Sequence, residues 1–231
     1  MSTVLLVRHG RTEANSSGLL AGRTPGLRLD EAGRDQATAL AARLSGVPLA
    51  AIVSSPLERC VETAALLAAG RGTLRVETDE RLIECDYGAW TGRTLRALSQ
   101  DRLWKVVQTH PSAVTFPGGE SMRQAQARAV EAVRYHDARI ASAGRPDAVW
   151  VAVSHGDVIR AVVADAAGLH LDLFQRLVVD PGSVTVLRYT DLRPFVVRLN
   201  DTGSDLSGLR PRRRRRMPTS EAVVGGGPGS S

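Results

Sequence analysis

Two apolar, β-branched runs end in the same dipeptide. Val4-Leu5-Leu6-Val7 leads into Arg8-His9-Gly10, and Val151-Ala152-Val153-Ser154 leads into His155-Gly156. A third run, residues 50–54, leads through Ser54-Ser55-Pro56 to Arg59. Histidine titrates near neutrality and can act as nucleophile, acid or base. Arginine brings a fixed positive charge and a planar fork of donors that matches phosphate. A glycine after each histidine lets the backbone turn sharply and approach an anion closely. The helix expected after Pro56 would add the positive end of its dipole near Arg59. Arg8, His9, Arg59 and His155, gathered in one place, would hold a phosphoryl group. A zinc centre fits poorly, because the sequence has no His-Glu-x-x-His or Cys-x-x-Cys and its arginines would repel the metal. Nucleotide-binding loops of the Gly-x-x-x-x-Gly-Lys or Gly-x-Gly-x-x-Gly type are also missing.

Bringing these residues together needs a scaffold, and the pattern of the chain supplies one. Residues 3–7, 50–54 and 149–154 read as strands buried on both faces, and residues 74–77 as a weaker strand. Helical spacing follows an Asp30 cap over residues 30–44. It returns over residues 56–69, with Ser55 as N-cap, Pro56 in the first turn and Glu58 closing a capping box. Met122, Ala125, Ala129, Val133, His136 and Ile140 recur every three or four residues within 121–142, a long amphipathic helix, and residues 157–167 form another. Residues 183–189 and 195–199 read as a closing hairpin. Strands alternating with helices predict a three-layer α/β/α sandwich with a mainly parallel central sheet. In such sheets ligands bind beyond the carboxyl ends of the strands, where both His-Gly pairs lie.

The composition is globular: 231 residues, 43% hydrophobic and 23% charged, enough for one domain with an appendage. The net charge of +6 is concentrated at one end. Residues 202–231 hold Arg210 and Arg212 to Arg216 against Asp205 and Glu221, which leaves +2 on residues 1–201. A nucleic-acid role for the main domain therefore has no electrostatic motive, and residues 202–231 are expected to be a disordered tail. Contact of residues 210–216 with nucleic acid or another polyanion is the alternative of a different class, in which the chain serves as an anion-binding or scaffold protein. The most apolar stretch, residues 148–167, is interrupted by His155, Asp157 and Arg160, so no membrane span is expected. With only Cys60 and Cys85, and no leader-like segment before Thr3, the expected location is the cytoplasm.

The stretch from Leu6 to Asn15, with Arg8-His9-Gly10 inside it, resembles the Arg-His-Gly motif of the histidine phosphatase superfamily, which includes cofactor-dependent phosphoglycerate mutases and many phosphatases. Further matches follow in the family's order. They are Leu29 to Gly33, Ser54-Ser55-Pro56 through Arg59 and Thr63, Leu82 with Glu84 and Tyr87 to Gly92, Pro117 to Ser121, and Ser154-His155-Gly156. The resemblance spans about residues 3–190, and residues 20–23 and 180–200 resemble an actinobacterial subgroup usually labelled as probable phosphomutases.

The resemblance implies that His9 is the nucleophile, becoming a phosphohistidine, and that Arg8, Arg59 and His155 hold the non-bridging oxygens. Asn15 and Gly156 would bind the same group, and Glu84 would act as general acid and then base. Partial burial beneath residues 87–92 would have to keep Glu84 protonated against two arginines. Guanidinium groups supply the charge, so neither a metal nor another cofactor is expected. Ala21 and Arg11 depart from the pattern; Ala21 removes one expected donor, and whether neighbouring Arg23 replaces it is left open by the sequence. Residues 85–121 would cap the pocket; of Trp90, Arg93, Arg96, Trp104 and His110 there, one or two at best are expected to meet the substrate's remote end and the rest to be packing or solvated. Hydrolysis of a small phosphomonoester is the expected activity and a phosphomutase the alternative, since the span from Glu84 to His155 is short for a glycolytic mutase.

Overall fold

The computed structural model describes residues 2–143 and 147–203. Side chains of β1 (Ser2–Arg8) alternate, so Val4 and Leu6 enter one face of the sheet and Leu5 and Val7 the other. A short helix, α1 (Glu13–Ser17), precedes α2 (Glu31–Arg43). The latter opens on Asp30, whose carboxylate accepts from Gly33 N at 2.7 Å. Then come β2 (Leu49–Ser54), α3 (Glu58–Ala68) and β3 (Val76–Thr78). The next stretch is broken into α4 (Leu95–Leu98), α5 (Arg102–Thr109) and several 3₁₀ turns. It ends at α6 (Met122–Ser142), which Ser121 and Gln124 cap reciprocally. β4 (Ala148–Ser154), α7 (Gly156–Ala166), β5 (Val184–Tyr189) and β6 (Pro194–Asp201) complete the described chain.

The strands lie in the order β3-β2-β4-β1-β5-β6. The pairs β1–β4, β2–β4 and β2–β3 are parallel, whereas β5 and β6 run antiparallel at one edge. On one face α2 and α3 cover Leu5, Val7 and Ile52 with Leu40, Cys60 and Leu67. On the other, α6 and α7 cover Val4, Leu6 and Trp150 with Val133, Val158 and Val162. Each fully buried Val or Leu contributes roughly 1.5–3 kcal/mol, so stability is concentrated in the central strands that end at the two histidines. A third apolar cluster, including Tyr87, Trp90, Val107 and Phe116, gives residues 85–121 a small core of their own, seated on α6 and α7 through Met122 and Ala161. This is the expected α/β/α sandwich with a closing hairpin.

Two local expectations fail. α3 begins at Glu58 with Leu57 in the N-cap position and no side-chain cap: the Ser55 hydroxyl accepts from Leu57 N at 3.4 Å but lies 2.8 Å from His155 Nε2, and Glu58 accepts from Gly26 N at 2.9 Å. Gly10, expected to face an anion, instead packs against backbone. A Cβ there would lie 2.2 Å from the Gly33 carbonyl oxygen, and one on Gly33 would lie 2.0 Å from the Arg11 carbonyl oxygen. The loop after β1 is thus fitted directly against the first turn of α2. From residue 204 onward, the expected tail lies outside the described residues. Among the described residues, no helix is long and apolar enough to cross a membrane.

Candidate active site

The register of β1 and β4 sets the centre of the site. Arg8 pairs with Ser154, so His9 and His155 emerge side by side, one residue beyond each strand. His9 N donates to the Ser154 carbonyl at 3.0 Å, and the ring centroids are 5.3 Å apart. Arg59, the second residue of α3, sends Nη2 to the Gly22 carbonyl at 2.8 Å and to His155 Nδ1 at 3.2 Å. Glu84 follows a 3₁₀ turn; its Oε2 lies 3.9 Å from His155 Nδ1, and its Oε1 accepts from Cys85 N at 2.9 Å. Arg8 Nη1 donates to the Val179 carbonyl at 2.8 Å. All five side chains are buried, His155 completely and His9 with 4% exposed.

Burial and the arginines set the protonation of the group. Desolvation, reinforced by Arg59 and Arg8, holds the His9 pKa well below its usual value, so the ring is neutral. Its Nδ1 lies 2.8 Å from the Gly10 carbonyl, which can only accept, so Nδ1 carries the hydrogen and Nε2 the lone pair. His155 is likewise depressed, by burial first and then by Arg59 and His9. Glu84 moves the other way: burial, joined by the charge of Asp157, pushes it up to about 7 against the pull of Arg59, the Cys85 amide and Arg8. Burial and Arg160 lower Arg8 to about 10, which leaves it charged at neutral pH.

Other residues brace this group, and sequence reasoning missed the parts of Arg128 and Asp157. Thr63, one turn beyond Arg59, offers Oγ1 to Gly10 N at 3.2 Å. Arg23 Nε and Arg128 Nη2 both donate to the Glu84 carbonyl, at 2.9 and 3.1 Å, and both guanidinium groups reach Glu120. Glu120 is therefore an electrostatic node, while Ser121 beside it is the cap. Arg23 is committed to this clamp, including a contact with Asp86 at 3.7 Å, instead of standing in for Ala21. Tyr87 OH donates to Asp157 Oδ2 at 2.7 Å, tying the segment after Glu84 to the helix after His155. Asn15 spends Oδ1 on the Thr12 amide and hydroxyl, so only its Nδ2 remains for an anion. Gly156 is the first residue of α7 and points the start of that helix at the same end of the sheet.

The residues named for the substrate's remote end have mixed placements. Trp90 is buried and stacks on Trp104 at 6.1 Å between centroids, so the pair is packing. Arg93 faces Asp101 at 3.6 Å; Arg96 and His110 are exposed. Cys60 and Cys85 are buried, unpaired thiols.

Sequence and structure comparisons place this arrangement among known proteins. Residues 4–202 match the profile of the histidine phosphatase superfamily (branch 1). The chain is 36% identical over 206 residues to a Mycobacterium tuberculosis protein described as bifunctional, a match covering 87% of this chain and 54% of that protein. It therefore spans about half the length of that relative and of two further mycobacterial ones. It is 32% identical over 213 residues to phosphoserine phosphatase 1 of Hydrogenobacter thermophilus, covering 87% of this chain and 93% of the relative. A solved mycobacterial glucosyl-3-phosphoglycerate phosphatase, in complex with VO3, superposes with a TM-score of 0.75 at 29% identity, covering 86% of this chain and 98% of the other. The profile match spans most of the chain and the fold agrees with it: the chain belongs to the histidine phosphatase superfamily.

Proposed function

We propose that the protein is a phosphatase that hydrolyses a small phosphomonoester through a phosphohistidine on His9. One observation carries the reading. Arg59 is fully buried beside both imidazoles, and its Nε and Nη1 have no hydrogen-bond partner among the described residues, a cost that a bound oxyanion would relieve. Two relatives, named as phosphatases of phosphoserine and of glucosyl-3-phosphoglycerate, support the substrate class.

In the first step the His9 Nε2 lone pair forms an N–P bond as the P–O bond to the alcohol breaks, and Glu84 gives its proton to the departing oxygen. In the second, water attacks phosphorus, its proton passes to the Glu84 carboxylate, and the N–P electrons return to Nε2. Arg8, Arg59, His155, the Asn15 amide and the Gly156 N–H surround the non-bridging oxygens, where each well-placed donor is worth about 2.7–4 kcal/mol in the transition state. With Glu84 near 7, activity declines above neutrality as the acid ionises. Residues 1–201 act as one domain, with residues 85–121 as the cap that selects the alcohol. The two buried, unpaired thiols support a reducing, cytoplasmic setting.

The test is to trap an acid-labile, base-stable phosphoryl adduct during turnover of p-nitrophenyl phosphate and sugar phosphates, and to lose it in His9→Ala. Interconversion of phosphoglycerates stimulated by bisphosphoglycerate, without appreciable phosphate release, would assign the site to a mutase instead.

A further inference from the structure

Ser55 stands where a helix N-cap is expected, yet its hydroxyl serves a residue one hundred positions away. Oγ lies 2.8 Å from His155 Nε2, and both side chains are completely buried. The other ring nitrogen faces Arg59 Nη2 at 3.2 Å. A guanidinium has donors only, so Nδ1 is the accepting nitrogen, and a neutral imidazole that accepts at one nitrogen carries its hydrogen on the other. Burial beside Arg59 keeps the ring neutral. Nε2–H therefore donates to Ser55 Oγ. Cys60 Sγ, 3.5 Å from the same nitrogen, is a weak acceptor and no substitute.

We propose that Ser55 is the positioning residue for His155: by accepting Nε2–H it keeps Nδ1 turned toward Arg59 and Glu84, where it accepts from Arg59 Nη2 while the ring is neutral and, once the ring takes up a proton with the incoming phosphoryl group, donates Nδ1–H to one of its oxygens. The inference rests on the phosphohistidine reading of the site and names the group that orients its second histidine. Without this acceptor the neutral ring can carry its hydrogen on Nδ1, which sets Nδ1–H against the guanidinium and deprives Arg59 Nη2 of this acceptor. An imidazolium also keeps a hydrogen on Nε2, so Ser55 supports the ring in either charge state.

The tautomer is directly observable. In protein labelled with ¹⁵N-histidine, long-range ¹H–¹⁵N spectra separate the two neutral forms, and His155→Gln identifies the signals that belong to this ring. The wild type should show the Nε2–H form. Ser55→Ala should show a mixture and lose about 10–100-fold in kcat on an alkyl phosphomonoester with KM little changed, the range typical of lost outer-shell partners. Ser55→Thr keeps the hydroxyl and should retain both tautomer and most of kcat. If Thr does not fold, Ser55→Cys, isosteric but a poor acceptor, should reproduce the Ala spectrum. A wild-type Nδ1–H form, or an unchanged tautomer in Ser55→Ala whatever its activity, would overturn the proposal. The spectra need no substrate, so a wild type that shows Nε2–H and releases no phosphate would fail the catalytic reading alone.

Discussion

At the end of β1, the His9 ring is steered by its own loop: Nδ1 donates to the carbonyl of the next residue, and Nε2 is left as a lone pair. At the end of β4, the His155 ring is steered from another element, with Ser55 on Nε2 and Arg59 on Nδ1. The strands are neighbours in register, and each delivers a histidine followed by a glycine. If His9 is the nucleophile and His155 the anion-holding group, the two roles go with different acceptors on the far side of the ring. A local backbone acceptor suits the ring that must form and break a bond. Remote side chains suit the ring that only has to stay aimed.

If the two ends differ in this way, their removal should differ in kind. His9→Ala should lower turnover by at least about 10⁴-fold and abolish the phosphoryl adduct. His155→Ala should cost about 10²–10³-fold while the adduct still forms slowly. An adduct that survives in His9→Ala, measured by acid lability after quenching, would break the comparison outright. Glu84 stands on the His155 side, 3.9 Å from Nδ1. Glu84→Gln should slow alkyl phosphomonoesters by about 10²–10⁴-fold and p-nitrophenyl phosphate far less, because nitrophenolate scarcely needs a proton. Equal losses on both would remove Glu84 from the acid role.

Asp157 sharpens the asymmetry, because its charge helps to keep Glu84 protonated to about pH 7. Asp157→Asn should let Glu84 ionise earlier, so the basic limb of kcat/KM moves to lower pH. A limb that stays in place would show that burial alone does the tuning. The smallest effect concerns the thiols. Burial pushes Cys60 up to about 12 and Cys85 well above the usual thiol value, so iodoacetamide at pH 8 should leave activity unchanged. Rapid inactivation would mean that the site opens enough to expose them.

The strand ends were legible because an apolar, β-branched run followed by His-Gly is a local pattern, and a parallel sheet brings such ends together. The limit of α2 was legible for the same reason: Asp30 announces its cap and uses it. Ser55 announces a cap too, but its hydroxyl accepts from Leu57 N at a long 3.4 Å and lies closer, at 2.8 Å, to His155 Nε2. A serine hydroxyl takes whichever partner folding brings within about 3 Å, and the competition between the α3 amides and His155 is decided in three dimensions. The Glu120 clamp was illegible for a similar reason, since Arg23 and Arg128 reach it from distant elements. Within residues 85–121 packing or solvent was the expectation for most of the named side chains, and Trp90 and Trp104 do pack, against each other. Periodicity says that such residues are apolar enough to bury, and leaves open against what.

The backbone contact between Gly10 and Gly33 carries a warning for anyone engineering this chain. Replacing a helical glycine with alanine is a routine stabilising edit, worth up to about 1 kcal/mol in propensity. At position 33 the added methyl would meet the Arg11 carbonyl at 2.0 Å and push the segment bearing His9 off its seat. A saturation library there should return glycine almost alone, although position 33 performs no chemistry.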